Sequence, residues 1–274
     1  LDPVHFTSLP GYAWEAMLKK TGAKIELISD NDMLLMWEQG KRGGMSFIGH
    51  RYAKANNKYV GEYDESKPTS FLSYFDANNL YGAAMIKKLP TGGYRWSRMT
   101  AEELLAVDAD GDIGNLVEVD LEYPKELHAT HSMYPLAPVR RRILAEELSP
   151  YSASFGVESK VEKLVTTLED KKHYVCHIKN LQQYCKLGMK ITAVHRVIEF
   201  EQAAWLAPYI EFNTKKRTAT KDDFEKDFYK LMNNAVFGKT MENVRNRKAM
   251  KFFDTQDKRI QKYTARPTYG GIFH

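Results

Sequence analysis

The stretch Phe71-Leu72-Ser73-Tyr74-Phe75-Asp76-Ala77-Asn78-Asn79-Leu80-Tyr81-Gly82-Ala83-Ala84-Met85 decides how the rest of the chain is read. From Phe71 to Phe75 every residue except Ser73 is apolar or aromatic, which predicts a short strand buried on both faces. The run ends on the carboxylate of Asp76, and Gly82 with Ala83-Ala84-Met85 predicts a tight turn into a helix. A carboxylate at the end of a buried strand is costly unless a positive charge meets it, and a hard divalent cation is the usual partner. Asp is also among the commonest helix N-caps. The residues alone leave Asp76 as either a cap or a metal ligand.

Upstream, Pro10 and the spacing of Ala13, Trp14, Met17 and Leu18 predict a helix over 10–21, stopped by Gly22. Lys24 to Ile28 reads as a short strand. Ser29 with Asp32 forms a capping-box pattern for a second helix through Gln39. Next comes Lys41-Arg42-Gly43-Gly44. Two glycines behind a basic pair let backbone amides approach an anion closely, and a helix C-cap followed by a loop has the same composition. Arg51, Lys54 and Lys58 interleave with Tyr52 and Tyr59, either as a solvated loop or as a surface toward a single nucleic-acid strand.

Downstream, Leu89 to Gly93 reads as a loop, and Thr100 with Glu103 caps a short helix to Leu105. Asp108 to Asp112 lacks the glycine a calcium loop requires after its third acid and is read as a polar turn. Leu116, Val117, Val119 and Leu121 alternate with Glu118, Asp120 and Glu122, predicting a strand that faces a core on one side. Tyr134 to Pro138 is extended loop ahead of Arg140-Arg141-Arg142, a basic triplet that is solvent-facing or meets phosphate. Residues 174–200 have a strand–helix–strand rhythm, with the helix over 178–187 ending at Gly188. His173, Cys176, His177 and Cys185 cluster there, but their spacing fits no standard zinc knuckle, and the two cysteines read as buried or incidental thiols.

Thr220 with Asp223 predicts the start of a helix running to Phe237. At about 100° per residue, Phe224, Phe228, Leu231 and Ala235 share one face, the expected core stripe. Lys226, Lys230, Asn233, Asn234 and Phe237 share the opposite one. Two lysines one turn apart repel slightly on an isolated helix. They are either the wet side of an amphipathic helix or a seat for an anion such as a triphosphate.

Asp76, Leu80 and Tyr81, in the form Asp-x-x-x-Leu-Tyr, resemble the first palm motif of family B DNA polymerases, and Asp-Ala-Asn-Asn-Leu-Tyr-Gly is similar to its protein-primed subgroup. Asn79 and Gly82 stand where the wider family has Ser and Pro. Lys230-Leu-Met-Asn-Asn234-Ala-Val-Phe237-Gly238 resembles the fingers motif Lys-x-x-x-Asn-Ser-x-Tyr-Gly, with departures at Ala235 and Phe237. Arg42-Gly43-Gly44 resembles the Tyr-x-Gly-Gly motif that contacts template DNA, with Lys41 in place of the Tyr. The two catalytic-type motifs lie about 150 residues apart, in the family's order.

The resemblance implies an α+β fold: a partial palm with antiparallel strands, an α/β insertion and a helical fingers element. It divides the chain into a palm segment over 1–96, an insertion over 97–210 that docks a terminal priming protein, fingers helices over 211–245, and a returning palm or second insertion over 246–274. It implies template-directed deoxynucleotidyl transfer with two Mg²⁺ ions. Asp76 would bind the metals, with the Ala77 carbonyl as a further ligand, and Tyr81 would pack under the sugar. Lys230, Lys226 and Arg217 would hold the triphosphate of a dNTP, and Asn234 and Phe237 would line the base-pair pocket. Arg42, Gly43, Gly44, Arg245 and Arg247 would meet template and primer DNA. The family's second metal-binding aspartate, in Tyr-x-Asp-Thr-Asp, is not found in these 274 residues, so the segment alone is expected not to polymerise.

Composition sets outer bounds. With 274 residues, 43% hydrophobic, the chain has enough apolar material for one large or two smaller domains. The net charge of +5 permits nucleic-acid binding without demanding it. No apolar run approaches the roughly 18 residues of a membrane span. No signal peptide is visible, and the chain opens on Leu1 rather than Met, as expected of a piece of a longer intracellular protein (nuclear, organellar or in a virus-infected cell). Two other classes stay open: a non-catalytic DNA-binding remnant of such a polymerase, and a generic basic interaction module.

Overall fold

The fold is taken from a computed structural model, which describes residues 1–155, 161–246, 250–254 and 256–271. The chain divides into two compact units, Ala23–Ala207 and a discontinuous one made of Leu1–Gly22 with Pro208–His274.

The larger unit is a mixed α+β structure. Its strands are β1 (Leu89–Ser97), β2 (Ile113–Glu122), β3 (Val139–Arg141), β4 (Lys163–Val165), β5 (Lys171–His177) and β6 (Lys190–Ala203). Four of them form an antiparallel sheet in the order β1-β6-β2-β5, and β3 pairs with β4 as a separate ribbon. Helices α2 (Asn31–Gly40), α3 (Leu80–Met85), α4 (Ala101–Ala106), α5 (His128–His131), α6 (Pro150–Ser154) and α7 (Ile178–Lys186) belong to this unit. The smaller unit contains α1 (Leu9–Thr21), most of α8 (Ala207–Ala219), α9 (Asp223–Thr240) and α10 (Arg259–Thr264).

The central strand β2 is covered on both faces, not one. Val117, Val119 and Leu121 join Tyr174, Cys176, Ile178, Leu181 and Val197 in one core. Leu116 joins Val175, Ile198 and Phe200 under Met33 and Met36 of α2 in the other. Glu118 and Asp120, which alternation placed in solvent, are therefore buried at 6% and 8% exposure.

The strand–helix–strand segment forms as read, and α4 carries the Thr100–Glu103 capping box. α1 ends on Gly22 at φ 62, as expected of a left-handed C-cap. Elsewhere the caps shift. α2 is capped by Asp30, not Ser29, because its carboxylate reaches the amides of both Asp32 and Met33. α9 is capped by Asp222, not Thr220, whose hydroxyl instead bonds Glu225. Residues 89–93, read as a loop, open β1, with a register shift at Gly92. Lys24 to Ile28 is not a strand, and its Glu26 N–H donates to the Thr91 carbonyl at 2.9 Å.

The main departure is Phe71 to Asp76. No strand forms there, and the residues are exposed, Tyr74 to 94% and Phe75 to 89%. A strand is stabilised by its neighbours, and among the described residues none pairs with this one.

Gly114 tests how tightly β2 and β6 are packed. A Cβ there would lie 2.4 Å from the Phe200 ring. Phe200 is fully buried, so Gly114→Ala is expected to cost about 1–3 kcal/mol by overpacking. Urea denaturation should show it, with the m-value unchanged.

Candidate functional site

In the larger unit, Asp76 lies on the exposed stretch that leads into α3. The N-cap of α3 is Asn79, held at φ 55 without a side-chain cap bond, so the capping alternative for Asp76 does not hold. Asp76 and Ala77 are both exposed, and no hydrogen bond or ion pair among the described residues engages the Asp76 carboxylate. Tyr81 follows in the first turn of α3, 44% exposed. A Cβ at Gly82 would meet the Asn79 side-chain amide at 2.3 Å, so that exposed side chain would have to turn aside. A carboxylate and a backbone carbonyl are hard oxygen donors and suit Mg²⁺ in type, although one carboxylate is an incomplete set.

The Gly-Gly turn comes with partners that the sequence did not reveal. Gly43 and Gly44 line a groove of about 560 Å³ together with Arg140, Lys163 and Glu162. The β3–β4 ribbon brings Arg140 and Lys163 there. Arg42 is occupied differently. Its Nη1 donates to the Val175 carbonyl at 2.6 Å, and its guanidinium stacks 4.1 Å from the Tyr174 ring centre. Burial pushes the Tyr174 hydroxyl pKa well above its ordinary value, with Arg42 opposing.

In the smaller unit, α9 is rotated relative to expectation. Its buried residues are Met232, Asn233, Ala235 and Val236, whereas Phe224 is 80% exposed and Leu231 is half exposed. Asn233, expected on the polar face, is inside because it meets another amide: Asn213 of α8 donates to its side-chain oxygen at 2.8 Å. A paired amide is as burial-ready as an apolar group, and spacing cannot see the partner. Tyr209 of α8 reinforces this contact, its hydroxyl donating to the Met232 carbonyl at 3.4 Å.

Lys230 remains exposed, and Asn234 and Phe237 are half-buried. Lys226 pairs with Asp223 one turn back at 2.8 Å. Arg217 is exposed in the last turn of α8, and Arg245 is exposed in a short turn after α9. Arg247 lies outside the described residues.

One constellation was missed. On the α2 side of the sheet, Asp120 of β2 accepts from the backbone N–H of His173 at 2.9 Å, from His195 Nε2 at 2.9 Å and from Lys172 Nζ at 3.0 Å. Those bonds, His173 first, hold its carboxyl far below the usual range. Glu118 bonds His173 Nδ1 at 3.1 Å and Arg196 Nε at 2.5 Å. Burial works to raise its pKa, but Arg196 and His173 win and the net shift is downward. The two imidazoles stack with centres 4.1 Å apart. The sequence grouped His173 with Cys176, His177 and Cys185 instead. Cys176 is buried in the core, which pushes its thiol up to about 12, so it is an inert thiol rather than a ligand.

A family described as DNA polymerase type B, organellar and viral, matches residues 51–269. Among solved structures, the chain is similar to Phi29 DNA polymerase in an orthorhombic crystal form, with TM-score 0.50 and 14% identity over 86% of this chain and 36% of that one. It is also similar to Phi29 DNA polymerase complexed with primer-template DNA and incoming nucleotide substrates, with TM-score 0.47 and 15% identity over 85% and 36%. The chain therefore spans about a third of the length of the solved polymerases it matches. No curated protein is significantly similar.

Asn233→Ala leaves the Asn213 amide buried without its partner and should cost about 1–3 kcal/mol. The Asn213→Ala/Asn233→Ala double variant should lose less than the sum of the singles in urea melts. His177, at the end of β5, accepts from the Lys179 amide, and burial lowers its pKa from 6.5 to about 4. The folded state thus favours neutral His177. That stabilisation is complete above 6.5 and is lost as pH falls toward 4, on the order of 3 kcal/mol in all. His177→Asn keeps a capping acceptor and should flatten this part of the stability–pH curve.

Proposed function

The chain belongs to the organellar and viral type B DNA polymerases, and from that premise we propose that it carries the nucleotide-binding palm and fingers elements of a protein-primed DNA polymerase. The observation that carries this reading is the state of the two motif residues. Asp76 and Lys230 both lie within the matched region, and each is exposed and unspent in its own unit.

In this reading the Asp76 carboxylate and the Ala77 carbonyl hold the metal side of the site. Mg²⁺, when bound, neutralises charge on the attacking and leaving oxygens of the phosphoryl group. Lys230 and Arg217 meet the triphosphate. Lys226 joins them by leaving Asp223, a solvent-exposed pairing that contributes little. Tyr81 packs under the sugar, with Asn234 and Phe237 against the nascent base pair. Phe237 keeps an aromatic platform where the family has Tyr, losing only a hydroxyl. The amides of Gly43 and Gly44, with Arg140 and Lys163 beside them, take template phosphates. Arg245 and Arg247 meet the duplex, and residues 97–210 dock the priming protein.

A second reading, DNA binding without transfer, is favoured by one observation. Among the described residues no strand pairs with Phe71 to Asp76. Because residues 1–274 do not include the family's Tyr-x-Asp-Thr-Asp motif, nucleotide binding is a sharper readout than primer extension.

The test is dNTP titration of the purified chain with and without Mg²⁺. Transfer-type function predicts Mg²⁺-dependent binding that Asp76→Ala abolishes. Lys230→Ala should weaken it roughly tenfold or more, as for loss of a bond to a charged group. Salt-sensitive DNA binding with no response of dNTP binding to Mg²⁺ or to Asp76→Ala would favour the second reading.

A further inference from the structure

We propose that Asp120, His173 and His195 form a binding site for a transition-metal ion of the Zn²⁺ class on the face of the four-stranded sheet. The inference rests on the sheet alone and is independent of the polymerase reading. One donor atom from each residue lies within 4.8 Å of the other two.

The backbone brings these donors together by an irregularity on each side of Asp120. Between β2 and β5, Val119 pairs with Tyr174 and Leu121 with Lys171, so Lys172 and His173 together oppose Asp120. Between β2 and β6, Glu118 pairs with Arg196 and Val119 with Val194, which leaves His195 as the extra residue. Each bulge thus contributes a histidine, and bulges re-aim side chains where a regular ladder would not. His173 also sits at φ 49, a left-handed conformation uncommon outside glycine.

The donor chemistry fits a borderline ion. Two imidazoles and a carboxylate suit zinc, copper, nickel or iron, whereas magnesium favours oxygen. His173 is already oriented as a ligand is. Its Nδ1–H donates to Glu118, which leaves the Nε2 lone pair free, and Glu118 is itself steadied by Arg196. Asp120 and His195 stand 2.9 Å apart, donor atom to donor atom. Ligands around a tetrahedral ion with bonds of 2.0–2.1 Å are roughly 3.3 Å apart. Binding needs His195 in its other tautomer, with the proton on Nδ1 and Nε2 on the metal. Lys172 is the competing cation, and its exposed side chain is free to withdraw from Asp120. Both histidine side chains are open enough to rotate inward, at 65% and 29% exposure, and solvent fills the remaining positions.

The experiment uses residues 1–274 after chelator treatment, titrated with Zn²⁺ by calorimetry and with Co²⁺ by visible absorption. We expect one equivalent of Zn²⁺ to bind and raise the melting temperature, with Mg²⁺ giving no comparable shift. His195→Gln retains an amide donor to Asp120 but has no imidazole lone pair, so it should stay folded and lose the ion. Glu118→Gln should weaken binding by about 10–100-fold. The proposal is overturned if the wild-type chain shows no saturable Zn²⁺ or Co²⁺ binding. It is equally overturned if folded His195→Gln and His173→Ala variants bind as tightly as wild type.

Discussion

A strand with a neighbour on each edge and a packed layer over each face has no room for an unanswered carboxylate, and β2 carries two. Removing an ionised group from water without a partner costs several kcal/mol, far more than any single contact returns. Glu118 and Asp120 are therefore tolerable only in a register where β5 brings Lys172 and His173 and β6 brings His195 and Arg196. A one-residue slip would turn those bases to the opposite face, toward Val117 and Val119. The ion pairs thus do more to select an arrangement than to stabilise it. With β2 fixed, its neighbours follow: α2 covers Leu116 and Phe200, α7 covers the other face, and β1 pairs along β6.

The elements that were legible in the sequence are those whose signal is local. Pro10 and Gly22 mark α1, Thr100 and Glu103 start α4, and the strand–helix–strand rhythm of 174–200 gives β5, α7 and β6. What was illegible depends on a distant partner. Alternation put Glu118 and Asp120 in water because it cannot see two flanking strands. The helical wheel put Asn233 on the wet face of α9 because it cannot see Asn213 on α8. Phe71 to Phe75 has the composition of a buried strand, yet a ladder supplies what composition does not, and among the described residues none is offered. The motif residues were named by resemblance alone, and of these the structure leaves Asp76, Tyr81 and Lys230 exposed and Asn234 and Phe237 half-buried. The His–Asp cluster was not, since a bulge leaves no mark in hydrophobic periodicity.

The same distinction separates groups the fold has spent from groups it has left free. A side chain already paired in a partly buried setting must break that pairing before it can hold a ligand. For Lys226 the loss is small, an exposed bond to Asp223. For Arg42 it is not. Its bond to the Val175 carbonyl is partly buried and charge-assisted, worth about 1.5–3 kcal/mol, and its stack on Tyr174 adds to that. Arg42 is thus better placed to pin the chain to β5, fixing where the next two residues emerge. Gly43 and Gly44 then line the groove with Arg140 and Lys163. Within that motif, the arginine is engaged by the fold and the glycines are the part left at the groove.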